Sequence, residues 1–503
     1  MGHFTFIDLF SGIGGFRIAA EAYGGRCVGF SEINKDAIST YCANFNELEY
    51  ANLGDMRRIG SLPKFDLMTA GVPCQSWSIA GKNLGFDDER GKLWDNTLDL
   101  LERSRPKAFI FENVKGLADP RNRNAFEYIL GRIRAAGYHA THCLLNSYDY
   151  GVAQHRIRIY IIGFKEKKFS DLFLLPSPIP HEIRLGDILG CKTTECTTKA
   201  ETRKAKAFSL SQSANGLNDY FLFNDIRNGH TTIHSWDLQD TTERQKGICL
   251  MILRNRRKKE YGNFDGNPLS LEQMRSIDSS VTQADIDELV SIGILKPEKY
   301  NFEISHVYGK CFSDDEKALV NKAENGNINM DEIKNDRELK ARKINVKATI
   351  DLLCERGIAR CTEIRYDFKN SKISTGIGGV SRIFLPSSDI YPTLVASDTN
   401  DYVTTKNITV ASEEELRHKF ISEVYLTGNY RQITKQEACR LQGFPENFIL
   451  PESRARWMKL IGNSVAVPVI KTLIKAIVST GVFAKPGRVR LHKTGIMHVV
   501  TNQ

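Results

Sequence analysis

Five short, almost continuously apolar runs, separated by helical patterns, constrain the first third of this 503-residue chain more than any other feature. They are FTFIDLF (4–10), CVGFSEI (27–33), FDLMTAG (65–71), KAFIFENV (107–114) and RIYIIGF (158–164). Each is too short for a buried helix and too apolar for a strand with one wet face. Strands of that kind are buried on both sides, which a parallel sheet sandwiched between helices achieves. FRIAAEAY and DAISTYCANF supply helical patterns after the first two runs. The expected fold is α/β, a doubly wound, Rossmann-like sheet over residues 1–165.

From about 166 to 375 the alternation stops, and the chain becomes polar and rich in Lys and Arg. In RNRRKK (254–259) five of six side chains are cationic, which suits either a solvated face or a phosphate-binding one. Two segments echo each other: IDELVSIGILKPEKYNF (286–302) and IDLLCERGIARCTEIRYDF (350–368). Both read as an amphipathic helix, a glycine stop and a strand, and two unrelated joints fit as well as a duplication. Beyond 376, GIGGVSRIFLP and YPTLVASD read as strands, TKQEACRLQGF as a helix, and KPGRVRLHKTG as part of a basic tail. Eleven cysteines, an odd number, point to reduced thiols in a cytoplasmic setting. Cys191 and Cys196 have no matching Cys/His pair nearby, so no metal is expected. There is no signal peptide and no uninterrupted apolar run of about 18 residues, so no membrane association is expected.

Four constellations carry chemistry. In D-L-F-S-G-I-G-G-F (8–16), Asp8 ends a strand, and Gly12, Gly14 and Gly15 permit a tight turn with close backbone approach. Glu32 ends the second strand, about twenty residues on, where a carboxylate suits two ribose hydroxyls. The glycine spacing departs from G-x-G-x-x-G, so a nucleoside cofactor without a pyrophosphate fits better than a dinucleotide, although a nicotinamide enzyme stays open at this point. Asp55 is placed to accept from an adenine amino group, or to act as a helix N-cap. Pro73-Cys74-Gln75 follows the third strand, at the carboxyl end where open α/β sheets bind ligands. The loop after it, SIAGKNLGFDDERGKLW, with Gly81, Gly85 and Gly91, has the length and composition of a lid. Glu112-Asn113 closes the fourth strand, as a helix cap, a salt-bridge partner or an active-site pair. Gln154-His155-Arg156-Ile157-Arg158 sets two arginines two apart, on one face if the segment is a strand.

In this order the pieces resemble the DNA (cytosine-5) methyltransferases. Their pattern is an F-x-G-x-G turn (Phe10 to Gly14), P-C-Q (Pro73 to Gln75), E-N-V (Glu112 to Val114), Q-x-R-x-R (Gln154 to Arg158), Q-G-F-P (Gln442 to Pro445) and G-N-S-V (Gly462 to Val465). The resemblance covers roughly 1–165 and 376–480. It implies a Rossmann-like, S-adenosylmethionine-dependent methyltransferase domain over 1–165, completed by 440–480. A smaller mixed target-recognition domain would span 166–439 with an expanded insertion at 185–375, and a basic tail would span 481–503. It further implies Cys74 as the nucleophile on cytosine C6, Glu112 at N3, Arg158 on the base, and Arg156 on phosphate or the catalytic loop. The cofactor would meet Asp8, Phe10, Gly12, Gly14, Gly15, Glu32, Ile33, Asp55, Met56, Pro73, Leu93, Asn463 and Ser464. The implied substrate is double-stranded DNA with the target base flipped out, and the implied setting is a bacterial restriction–modification system beside a cognate endonuclease. A monomer in the cytoplasm, at the nucleoid, is expected. The rival readings are a tRNA methyltransferase, a DNA-binding protein without turnover and a nicotinamide oxidoreductase. The length of the region between Q-x-R-x-R and Q-G-F-P favours duplex readout over tRNA.

Overall fold

The computed structural model describes residues 3–73, 93–179, 183–191, 219–222, 232–264, 266–305, 311–370, 375–408, 410 and 412–484. Cys74 and Gln75, the glycine-containing loop through residue 92, Cys196 and the basic tail from 485 lie outside them.

The five apolar runs become β1 (Phe4–Leu9), β2 (Gly25–Ser31), β3 (Leu67–Gly71), β4 (Ala108–Val114) and, after an intervening β5 (His139–Asn146), β6 (Ile157–Phe164). The sheet order is β2-β1-β3-β4-β6-β5. β2, β1, β3 and β4 are parallel. β6 runs antiparallel to β4 and also to β5. The RIYIIGF strand therefore departs from an all-parallel sheet: it returns from β5 through a short turn at Ser147–Tyr150 rather than through a crossover helix. β5 escapes sequence reading because it is an edge strand, half-exposed along its length, with no apolar run.

Side-chain alternation along the strands divides the domain into two cores. Phe4, Phe6, Leu67, Ala108, Ile110, Tyr160 and Ile162 face one layer. It is formed by α1 (Gly15–Glu21) and the C-terminal α17 (Val467–Ser479), which brings Val469, Ile470, Leu473, Ile474 and Ile477. Ile7, Leu9, Met68, Ala70, Phe109, Phe111, Ile159 and Ile161 face the other, which holds α3 (Leu93–Ser104) and α4 (Arg123–Ala135). Between β2 and β3 lies α2 (Lys35–Phe45). After β6 come α5 (Lys167–Leu172) and α6 (Leu185–Leu189). Leu185 and Ile188 pack into a third core with α15 (Lys435–Gln442) and α16 (Arg454–Asn463), which follow α14 (Glu413–Lys419) in the chain. The stretch Arg454–Ser479 is long and apolar enough to cross a membrane by composition, but most of it is buried inside the protein, as a core helix pair would be.

A second, small sheet has the order β13-β12-β7-β8, from β7 (Asp219–Leu222), β8 (Thr232–Ile233), β12 (Arg382–Phe384) and β13 (Asp401–Val403). GIGGVSRIFLP thus yields only a three-residue strand. YPTLVASD forms no strand: it is irregular backbone with one bridge, Tyr391 to Gln154.

The two echoing segments are a duplication. The first copy has α7 (Glu243–Asn255), α8 (Leu271–Ile277), α9 (Gln283–Ser291) and β9 (Leu295–Ile304). The second has α10 (Asp314–Val320), β10 (Asn327–Asn329), α11 (Met330–Ile333), α12 (Arg337–Ala341), α13 (Val346–Glu355) and β11 (Ala359–Phe368). Residues correspond at a constant offset, Ile286 with Ile350, Gly293 with Gly357, Leu295 with Ala359. Both glycines stop their helices with positive φ, 74° and 65°. β9 and β11 pair antiparallel about a local two-fold axis: Leu295 faces Phe368 and Ile304 faces Ala359. The symmetry extends outward, since Ile328 of the second copy bridges Phe302 and Leu269 of the first bridges the equivalent Tyr366. Each copy thus lends its first strand to the other's side of the sheet.

Candidate active site

At the carboxyl ends of β1, β3 and β4 lies a cavity of about 390 Å³. Phe10, Gly12, Gly15, Glu32, Ile33, Asp55, Met56, Pro73, Leu93, Glu112, Arg156, Arg158, Asn463 and Ser464 line it, with Ser11, Ser31 and Val114 among the others. Residues separated by more than 400 positions therefore share one wall. Asp8 and Gly14 are not part of that lining. Asp8 is fully buried beneath it, with Oδ1 accepting from the Thr69 hydroxyl at 2.9 Å. Burial pushes its carboxyl up to about 8, against the opposing Thr69 hydrogen bond.

The three glycines of the first turn have separate jobs. Gly12, at φ +53°, faces open space where a Cβ would stand. Gly14 is the left-handed N-cap of α1, and a Cβ there would strike the Phe45 ring. Gly15 lets α1 close on Val465, whose Cγ2 would lie 2.7 Å from an added Cβ. Beside Gly12, the Ser11 hydroxyl is buried and finds no hydrogen-bond partner among the described residues. An orphaned hydroxyl and a Cβ-sized recess on one cavity wall suit a polar ligand.

Glu32 is held before any ligand arrives. Its Oε2 accepts from Gly12 N–H at 2.9 Å, and its Oε1 from Ile33 and Asn34 N–H at 2.8 Å each. A carboxylate keeps lone pairs to spare after three such bonds. Ile33 projects from the same corner, 68% exposed, which is unusual for isoleucine and leaves an apolar plate at the cavity edge. Asp55 is the N-cap of a 3-10 turn, accepting from Arg57 N–H, and is paired with the Arg57 guanidinium at 2.6 Å. Its capping reading is the one its contacts display, although it also borders the cavity.

At the other end of the cavity, Glu112 and Arg158 form an ion pair, Nε to Oε1 3.1 Å, both largely buried. Burial raises the Glu112 carboxyl above its ordinary range, while Arg158 and then Arg156 oppose the shift. Arg156 and Arg158 do not share one role. β6 begins at Ile157, so Arg156 precedes the strand. Its guanidinium donates to the carbonyls of Leu394 at 3.1 Å, Gly462 at 3.0 Å and Ser464 at 2.7 Å. Among the described residues Arg156 is a buried clamp that holds the G-N-S turn against Leu394; its expected contact with phosphate or the catalytic loop lies outside them.

Other motif residues brace the same junction. Gln154 donates to Leu441 O at 2.9 Å and to Gln442 Oε1 at 2.8 Å. Gln442 in turn donates to Ser464 O at 3.0 Å. Gln442 is completely buried. Asn113 donates to Val72 O at 3.2 Å, fixing the backbone immediately before Pro73. Sequence reading assigned no role to Ser11 or Ser31, because a hydroxyl carries no pattern until its partners are known.

The family model for C-5 cytosine-specific DNA methylases matches residues 4–479. Type II methyltransferase M.HgiBI of Herpetosiphon aurantiacus is 38% identical over 490 residues, 95% of this chain and 97% of its own. Type II methylase M.HgiEI of the same organism is 39% identical over 487 residues, 94% of this chain and 97% of its own. Type II methyltransferase M.HpaII of Haemophilus parainfluenzae is similar at 42% identity over 193 residues only, 38% of this chain and 54% of its own. With the fold, the cavity and near-complete relatives in agreement, the chain belongs to the C-5 cytosine-specific DNA methylase family, whose reaction is methyl transfer to cytosine C5 in DNA.

Proposed function

We propose that this enzyme transfers a methyl group from S-adenosylmethionine to C5 of one cytosine within a specific duplex sequence, as the modification partner of a restriction endonuclease. The observation that carries the proposal is the shared cavity. One end has the Gly12 recess, the orphaned Ser11 hydroxyl and the preordered Glu32; the other has the buried Glu112–Arg158 pair. S-adenosylmethionine, when bound, supplies an electrophilic methyl group. Glu32 would hold the ribose hydroxyls, Ile33 the adenine face, Ser11 and Asn463 polar edges, and Phe10, Met56, Pro73 and Leu93 the apolar remainder. Asp55 would reach an adenine amino group only by sharing its carboxylate with Arg57.

Cys74 is the residue after Pro73, which lines the cavity. Its thiolate would add to cytosine C6, making C5 nucleophilic, and leave by elimination once the C5 proton is removed. Glu112 in its protonated form would donate to N3 as negative charge develops in the ring, and Arg158 would hold both the carboxyl and the base edge. A base stacked inside a duplex cannot reach the largely buried Glu112–Arg158 pair, so it is extruded first. A division into catalytic and target-recognition parts is supported by the M.HpaII match, which extends over 38% of the chain against about 95% for the Herpetosiphon enzymes. The Herpetosiphon relatives' type II designation supports a restriction–modification role.

The test is bisulfite sequencing of plasmid from a methylation-free bacterial host expressing the chain, with Cys74→Ala as control. Protected cytosines at one recurring short sequence, absent in the control, are expected. Complete conversion by a soluble protein that binds S-adenosylmethionine would refute a DNA substrate.

A further inference from the structure

We infer that the two copies of the duplicated module have divided their labour: the helix–turn–helix of the second, α12–α13, docks on the DNA duplex through Lys340, Arg342, Lys343 and Lys347, and the first copy is its scaffold. The inference rests on the DNA substrate proposed above and says which surface of the insertion meets it.

The duplication makes the argument a controlled comparison. At equivalent positions the first copy reads SIDSSVTQA (276–284) and the second KARKINVKA (340–348). Both segments join a short helix to the longer helix that precedes a central strand. The first carries one charge, the negative Asp278; the second carries four, all positive. A fold duplicated for packing alone has no reason to separate charge in this way at an exposed turn.

The contacts made by the turn itself diverge in the same sense. In the first copy, α7 covers the start of α9: Arg244 binds Asp285 at 2.6 Å and 2.7 Å and donates to Ser280 O, while Gln245 donates to Glu288. Asp287 adds a further carboxylate to that face. A groove lined by phosphates would repel it. In the second copy the corresponding helix, α10, has seven residues against thirteen in α7. Among the described residues, no side chain from another element bonds to 342–348. Lys340, Arg342, Lys343 and Lys347 are all exposed, and Lys343 and Lys347 have no acidic partner among the described residues. The nearest acid on α13, Asp351, is already held by Lys299 at 3.1 Å.

Four exposed cations on a helix–turn–helix, with α13 leading away from them, match the way such motifs set a second helix against a groove while the turn contacts backbone. A polyanionic duplex is the partner that this charge fits.

The experiment is filter binding of linearised plasmid by the full-length enzyme over a salt series, alongside methyl transfer to the same DNA. The variants are the quadruple Lys340→Gln/Arg342→Gln/Lys343→Gln/Lys347→Gln and, as a charge-matched control on the same module, Lys296→Gln/Lys317→Gln/Lys334→Gln/Arg360→Gln. For the quadruple variant the slope of log affinity against log salt should become shallower by about 2–4, at roughly 0.9 for each phosphate left unneutralised, with affinity down about 10-fold or more near physiological salt. S-adenosylmethionine affinity should not change, and hydrogen exchange across 243–370 should match the wild type, which verifies that the module is folded. The control should keep the wild-type slope. A quadruple variant indistinguishable from a wild type that binds and methylates DNA would overturn the inference alone. An equal change in the control would overturn it too, by showing that bulk charge rather than this turn matters. A wild type that neither binds nor methylates DNA would remove the substrate reading itself.

Discussion

The catalytic sheet and the duplicated module handle their charged residues in opposite ways. In the sheet, the decisive cations are inside, and their partners come from distant sequence: Arg156 is satisfied by carbonyls 238, 306 and 308 residues away. In the module, charges sit on the surface, and the few buried ones, such as Arg256 with Asp367 at 2.6 Å, close within the module itself. The module also has its own cores, one around Trp236, Leu253, Leu295 and Phe368, the other around Phe302, Leu319, Leu353 and Ile358. The difference teaches that the site is an assembly of remote pieces, whereas the module is self-sufficient. A chain built this way can vary the surface of the module without disturbing the site.

Breaking the two buried arginines in parallel is the most severe test of that contrast. Arg156→Met and Arg256→Met should each cost about 3–5 kcal/mol locally, because carbonyls or a carboxylate are left buried without a cation. Hydrogen exchange should show Arg256→Met loosening only 243–370, with S-adenosylmethionine binding retained. Arg156→Met should loosen the 394–396 and 462–464 segments and weaken cofactor binding. Loss of cofactor binding in both would end the claim of independence.

Glu112→Gln sharpens the comparison at the chemical step. It should lower kcat by about 100-fold or more with cofactor affinity unchanged, measured by methyl transfer and calorimetry. The sign of the pH dependence follows from the raised carboxyl. The protonated form is lost as pH rises through the elevated pKa, so the wild-type rate falls on that limb, and the glutamine variant should lack it.

Asp8 gives a stability signature confined to the sheet. Its folded pKa, about 8, lies above that of an unfolded aspartate, so between about pH 4 and 8 the folded state binds the proton more tightly. Stability should fall as pH rises across that window, by at most one proton's worth, about 1.4 kcal/mol per unit. Asp8→Asn should flatten this slope in denaturant titrations, whereas protection factors in the module, taken relative to intrinsic exchange, should show no such dependence. The smallest effect expected is that of Gly12→Ala. A Cβ at φ +53° costs about 1 kcal/mol and fills the recess, so cofactor affinity should drop about 10-fold with little change in global stability.

Much of the sheet was legible because burial on two faces forces apolar runs, and β1 to β4 and β6 are such runs. β5 was not, since an edge strand needs only half its surface apolar. Strand direction was also hidden: alternation marks faces but not polarity, so the antiparallel β6 could not be told from its parallel neighbours. At the site, residues constrained by backbone geometry or by charge in an apolar context, such as Gly12 and Glu112, could be read directly. The different fates of Arg156 and Arg158 could not, because they depend on carbonyls supplied by segments more than 230 residues away. In the module, the helix, glycine and strand of each copy were visible, but not that the two strands pair with each other. That pairing depends on a symmetry which no local pattern encodes.

The C-terminal α17 covers the same sheet face as α1, and its neighbours 462–464 close the cavity. On a ribosome this sets a schedule. The strands of the first 165 residues emerge with Phe4, Phe6 and Ile110 on an uncovered face, and about 300 more residues must be made before Ile470 and Leu473 arrive. At roughly 5–20 residues per second the wait is about 15–60 s. During that time the nascent sheet is a client for chaperones, and any prematurely terminated chain lacks both the lid of its core and the wall of its site. Methylation is therefore available only from completed molecules.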